Sequence, residues 1–204
     1  MLITTWNING IRARIEGAVA YVREAKPDVL CLQEIKCQDE GFPREAFTDL
    51  GYTVETYGQK GFNGVALLSL HPLEDVTRGL PGDDTDVQSR FIEATVTVGT
   101  LSVRVASLYL PNGNPIGTAK FSYKLGWMAR LEAHARALLA TEMPVVLAGD
   151  YNVIPDPADA RRPDAWTNDA LFQPESRGAF RAIENLGYLD AILACHREPG
   201  IYTF

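Results

Sequence analysis

An apolar run that stops at an acidic and amidic cluster, Met143 to Pro155 (MPVVLAGDYNVIP), constrains this chain more than any other stretch. Val145 to Ala148 predicts a short strand buried on both faces. It holds four apolar residues, two of them β-branched, between the helix-stopping Pro144 and Gly149. Asp150 and Asn152 then fall at the carboxyl end of the strand, where ligands of α/β sheets gather, and Gly149 lets backbone approach closely. Both are candidate site residues. An ordinary Asp/Asn turn is the alternative reading, because these side chains bond their own backbone readily.

The same arrangement recurs upstream. Leu2 to Trp6 predicts a first strand that runs into Asn7, and Val29 to Leu32, continuously apolar, runs into Gln33 and Glu34. Between them a helix is expected from Ile15 to Ala25, with Val19 and Val22 toward the core, ended by Lys26, Pro27 and Asp28. Further strands are expected at Tyr52 to Tyr57 and Val65 to Leu70, with the loop Gly58 to Gly64 between them and a short helical end at Phe47 to Leu50. Pro72 to Asp86 reads as a turn-rich excursion. Arg90 to Val98 and Leu101 to Leu108 predict a hairpin about Gly99 and Thr100, whose second strand delivers Tyr109, Pro111, Asn112 and Gly113. Apolar residues at helical spacing from Ala119 to Thr141 predict the longest helix. A second is expected with Ser176 as its cap, carrying Phe180, Ile183 and Leu186. Tyr188 to Ala194 reads as a strand or helix edge, and Ile201 to Phe204 as the beginning of a strand.

A length of 204 residues without a linker or repeat points to one domain over residues 1–204 with a sizeable core. Hydrophobic residues at 46% and charged residues at 22% exclude a disordered chain. No apolar run approaches the roughly 18 residues of a membrane span, and the amino terminus has no signal-peptide pattern, so a cytoplasmic protein is the expectation. Cys31, Cys37 and Cys195 leave an odd thiol in any pairing and form no zinc spacing, and they read as reduced thiols. A net charge of −7 argues against a generally basic nucleic-acid binder. A divalent cation held by carboxylates would invert the field locally, so a phosphodiester substrate stays open.

Asn7, Glu34, Tyr109, Asn112, Asp150 and Asn152 thus share a position just past apolar strands. Oxygen donors of this kind suit Mg2+, with Mn2+ as the alternative, and suggest metal-assisted phosphoester hydrolysis with a carboxylate aligning the attacking water.

Five ordered motifs carry a resemblance: TWNINGIRA at Thr5 to Ala13, LQEIK at Leu32 to Lys36, GQKGFNGVALLS at Gly58 to Ser69, YLPNG at Tyr109 to Gly113 and GDYNV at Gly149 to Val153. Together with ALFQPESR at Ala170 to Arg177, they resemble the exonuclease III branch of the abasic-site endonucleases, within the endonuclease, exonuclease and phosphatase superfamily. The resemblance implies a four-layered α/β sandwich of the deoxyribonuclease I type, with two packed mixed sheets and outer helices. It implies a Mg2+-dependent abasic-site endonuclease and 3′-to-5′ exodeoxyribonuclease. The implied partner is double-stranded DNA with abasic sites or 3′ ends, without a membrane or an obligate protein partner. Glu34 would be a metal ligand and Asn7 would help hold the metal site and the catalytic carboxylate. Asp150 would activate or align water, Asn152 would bind a phosphate oxygen, and Tyr109 and Asn112 would donate to the scissile phosphate. Arg12, Lys36, Lys60, Arg90 and Lys124 are candidates for contacts to the DNA backbone, with a solvated surface charge as the alternative for each. Phe62 and Trp166 are candidates to stack at a lesion, against ordinary loop or core packing.

The pattern also breaks. The family's carboxyl-terminal Asp-His pair is absent, and His71, His134 and His196 adjoin no carboxylate strand end. Ile192 stands where the family places an aromatic residue. The expectation is therefore a C-terminally incomplete chain, inactive by itself. Two other readings follow from the same residues: a catalytically silent nucleic-acid-binding regulator, and a small-molecule phosphatase.

Overall fold

Two four-stranded mixed sheets carry the architecture, and a computed structural model describes residues 1–196 and Tyr202 of the chain. The first sheet runs β1-β2-β4-β3, built from β1 (Ile3–Asn7), β2 (Val29–Gln33), β3 (Thr53–Tyr57) and β4 (Val65–Ser69). The second runs β5-β6-β7-β8, from β5 (Leu73–Arg78), β6 (Phe91–Val98), β7 (Leu101–Tyr109) and β8 (Val145–Asp150). Central strands read as unbroken apolar runs because both their faces are covered, and β2 (VLCLQ) and β4 (VALLS) are buried at every residue. The edge strand β3 alternates exposed and buried positions instead.

The two sheets pack face to face through Val29, Cys31, Val65 and Leu67 of the first against Ile92, Ala94, Val96 and Val105 of the second. The opposite face of the first sheet is covered by α1 (Ile15–Ala25). The buried Ala18 and Val22 of this helix meet Leu30, Leu32, Ala66 and Leu68, with Val19 packed alongside. Each leucine so buried contributes about 1.5–3 kcal/mol relative to exposure. The helix ends where expected, with Lys26 in the left-handed region (φ 45°) donating its N–H to Val22, directly before Pro27. A single turn, α2 (Glu45–Thr48), buries Phe47 in the same core.

The chain divides into two compact units, and the eight strands of the described residues lie with α1 and α2 in the first, residues 1–109 and 138–151. The second unit takes residues 110–137 and the chain from 152 onward. It holds most of α3 (Ala119–Leu139), α4 (Pro174–Glu184), α5 (Ala191–Cys195) and two 3-10 turns in the proline-rich stretch between β8 and α4. Trp127, Met128, Leu131 and Ala135 form the buried stripe of α3.

Several expectations need correcting. β8 is half-buried throughout rather than hidden on both faces, because among the described residues it is an edge strand with β7 as its one neighbour in the sheet. The stretch read as a turn-rich excursion contains β5, an edge strand with a register shift between Glu74 and Thr77 that erases the alternation a reader would look for. Ser176 is not a cap. It lies inside α4, fully buried, with its hydroxyl donating to the Ala170 carbonyl at 2.6 Å, while Gln173 holds the cap position. Of the two readings of Tyr188 to Ala194, strand or helix edge, the helix holds: α5 is started by Asp190, whose carboxylate accepts from the N–H groups of Ile192 and Leu193. The strand expected at Ile201 to Phe204 falls outside the described residues except for Tyr202. No helix among the described residues is long and apolar enough to cross a membrane.

Candidate active site

Parallel pairing places the site. β1 runs parallel to β2 with Asn7 opposite Gln33, so Asn7 and the next residue, Glu34, emerge together. β7 runs parallel to β8 with Tyr109 opposite Asp150. The loops beyond β1 and β2 continue side by side, with Ile8, Gly10 and Ile11 N–H groups donating to the carbonyls of Gln33, Glu34 and Ile35. Glu34 and Lys36 both take the left-handed conformation (φ 53°), an uncommon state for non-glycine residues that the surrounding bonds hold in place.

Asn7 joins the two sheets chemically. Its side-chain amide donates to Glu34 Oε1 at 2.9 Å and to Asp150 Oδ2 at 2.8 Å. Its carbonyl oxygen accepts the Asn9 N–H at 3.1 Å. Ionised carboxylates only accept, so a single NH2 with two hydrogens between two carboxylates fixes which way the amide faces. Gly149 is required next to Asp150: an added Cβ would lie 2.0 Å from the Leu108 carbonyl oxygen, on the strand opposite.

Glu34 is an anion by construction. Burial alone would raise its pKa, but hydrogen bonds from Asn7, Lys36 and Tyr109 and the Lys36 charge outweigh that and hold it below the usual carboxylate range. The Lys36 ammonium sits 2.9 Å from Glu34 Oε2 and also donates to Asn9. Tyr109 is the converse case. Burial, the Glu34 charge and its own bond to Glu34 push the phenol well above its ordinary value, so it stays a neutral proton donor. The Arg90 guanidinium lies 5.0 Å from the Tyr109 ring centre and donates to the Tyr109 carbonyl, and it is steadied by Gln88 at 2.8 Å.

The donor set fits a hard divalent cation. Glu34 supplies a preformed anionic oxygen, and the second carboxylate, Asp150, shares its amide donor. Among the described residues no group of three or more His, Cys, Asp or Glu side chains is placed to hold a metal ion.

Arg12, Lys36 and Lys60 line one cavity of about 460 Å3 together with Glu40. Arg12 is steadied there by donating to the Gly41 carbonyl. Phe62 stands 59% exposed in the adjoining stretch of chain, while Trp166 is half-buried in a 3-10 turn of the second unit. Ile192 is exposed on α5. His71 pairs with Asp28, a structural role.

In the second unit Asn152 takes the left-handed conformation (φ 46°) and donates to the Leu110 carbonyl at 2.8 Å. Asn112, exposed, reaches the Asn152 side-chain oxygen at 3.5 Å, the outer limit of a hydrogen bond. Lys124 departs from expectation. It is fully buried, its ammonium bonded to the carbonyls of Pro111 and Asn152, so it is no surface cation and cannot meet a DNA phosphate.

Gln33 was not among the expected residues. It is buried, and its amide donates to Thr5 Oγ1 and to Ser107 Oγ, tying β2 to β1 and to β7 behind Glu34. A polar residue closing a fully apolar strand was the available signal.

Known proteins resemble this chain along most of its length. The Endonuclease/Exonuclease/phosphatase family matches residues 4–202. An exodeoxyribonuclease III of Haemophilus influenzae is 34% identical over 94% of this chain and 74% of its own length. A solved AP endonuclease from Archaeoglobus fulgidus is 37% identical with a TM-score of 0.91, and a 3′-5′ exonuclease from Neisseria meningitidis is 34% identical with a TM-score of 0.93. Each is matched over 100% of this chain and 78% of its own. Two packed mixed sheets with helices outside make the α/β sandwich of those structures. The chain belongs to the endonuclease/exonuclease/phosphatase family, in its exonuclease III branch.

Proposed function

We propose that the chain is a Mg2+-dependent phosphodiesterase of DNA repair that incises beside abasic sites and removes nucleotides from 3′ ends. The observation that carries this reading is the Asn7 amide held between Glu34 and Asp150, one carboxylate kept anionic and the other presented beside it. The relatives named for AP endonuclease and 3′-5′ exonuclease activity support DNA as the substrate class. The cavity bearing Arg12, Lys36 and Lys60 supports a polyanion over a small phosphoester.

Glu34 would hold the cation, with Mn2+ as the alternative ion. When bound, the cation offsets charge on a phosphoryl oxygen and on the leaving group. Asp150 aligns the attacking water and accepts its proton, and Asn7 keeps that carboxylate turned toward its work. Tyr109, neutral and proton-donating, and Asn112 donate to the phosphate. Asn152 binds a phosphate oxygen. Arg12, Lys36, Lys60 and Arg90 contact the DNA backbone, which positions the duplex without reading sequence.

The test is cleavage of a duplex oligonucleotide with one abasic site by the protein purified from its own cells. Incision is expected with Mg2+ and not in excess chelator, and Glu34→Gln, Asp150→Asn and Asn7→Ala should each slow it about 100-fold or more. Incision that persists in chelator overturns the metal requirement. Turnover of a small phosphoester without any cleavage of abasic or 3′-recessed DNA overturns the substrate.

A further inference from the structure

Lys124 is a charged residue on the apolar stripe of a helix. It precedes Trp127 and Met128 by three and four positions on α3, the spacing that puts them on one face, and all three are buried. Lysine is almost never fully buried, and a hydrophobic residue of similar volume in such a place is often neutral or stabilising. Packing therefore does not account for it.

Its bonds do. The ammonium donates to the Pro111 carbonyl at 3.2 Å and to the Asn152 carbonyl at 2.6 Å. Pro111 directly precedes Asn112, so the two acceptors belong to the two loop segments that carry the proposed phosphate-holding amides. Those segments are 40 residues apart in the chain and meet at one ammonium. Asn152 is held in the left-handed conformation, which its own bonds must enforce. The chain also leaves room for the lysine stem. At Gly113 (φ 88°), an added Cβ would lie 2.5 Å from Lys124 Cδ and 3.2 Å from Lys124 Cβ. A side chain rooted on a 21-residue helix is a firmer support than either loop alone.

We infer that Lys124 is a positioning residue: it clamps the loop segments bearing Asn112 and Asn152 so that their side-chain amides are set before a phosphate arrives. The inference rests on the proposed phosphate role of those two residues. Lys124→Met keeps the volume and removes the clamp.

The experiment compares Lys124→Met and Lys124→Arg with the unaltered protein on the abasic duplex, and reads the side-chain amide NMR signals of Asn112 and Asn152 in each. Lys124→Met should lower kcat about 100-fold with KM within about threefold, and shift both amide signals. Lys124→Arg, still a donor, should recover part of the rate. In an Asn152→Ala background, Lys124→Met should cost less than about twofold more, because the two act as a unit. Should Lys124→Met fail to fold, Lys124→Gln replaces it in each measurement. An unchanged kcat, full additivity with Asn152→Ala, or unmoved amide signals would overturn the inference. Absence of any cleavage by the unaltered protein would instead overturn the proposed function, and the amide signals would still decide whether Lys124 holds the loop segments.

Discussion

Single residues here act through what they donate to. Asp28 shows it away from the site: its carboxylate is held below the ordinary range by His71 first, then by the Leu2 N–H, against a smaller opposing effect of burial, with the amino-terminal charge adding to the lowering. A depressed folded value means that the stabilisation is fully present above the unfolded carboxylate value, about 3.9. It is lost as pH falls through the lower folded one. Asp28→Asn should therefore be less stable than the parent at pH 7 and show a flatter decline in acid, read from urea midpoints between neutral pH and pH 3. Equal midpoints for the two proteins at neutral pH would refute the linkage. At the site, Glu34 and Asp150 were legible in the sequence because each carboxylate closes an apolar strand. Lys124 was not, because a lysine near motif residues reads as a surface cation, and only its neighbours reveal that the ammonium lies on carbonyls.

At the scale of elements, covered strands and amphipathic helices could be read, and edges could not. β2 and β4 announce themselves as unbroken apolar runs, and α1 matched its expected bounds because Val22 and the Lys26–Pro27 stop mark face and end together. β5 carries no such mark, since an edge strand needs little apolar character and its register shift breaks the period. Ser176 had a cap's chemistry but a core position, which tertiary packing alone decides. Two pairings invite measurement. Gly149→Ala would drive a methyl to 2.0 Å from the Leu108 carbonyl oxygen, so β7 and β8 must separate there, and a loss of roughly 3 kcal/mol or more is expected from urea unfolding. On β6 and β7, Arg104 bonds Glu93 at 2.9 Å, with the two side chains 12% and 3% exposed. Arg104→Met alone should cost about 3 kcal/mol by leaving that charge behind, while Arg104→Met with Glu93→Leu should regain much of it.

At the scale of the whole molecule, a net charge of −7 and a cavity bearing three cations pull against each other. Affinity for duplex DNA should rest on the four proposed backbone contacts and fall with salt at a log-log slope of about −3.6, about 0.9 per neutralised phosphate. Arg12→Gln should bring the slope about one unit nearer zero, and a slope unaltered by the change would place the DNA elsewhere. The Asn7 bond to Asp150 has a further consequence, for synthesis. It spans 143 residues of chain, and the second parallel pair that presents Asp150 exists only once β8 has paired with β7. A growing polypeptide that has already made Asn7 and Glu34 still lacks the second carboxylate until nearly three quarters of these 204 residues are joined. The two carboxylates that share the Asn7 amide thus come together late in synthesis, when β8 closes against β7 and not before.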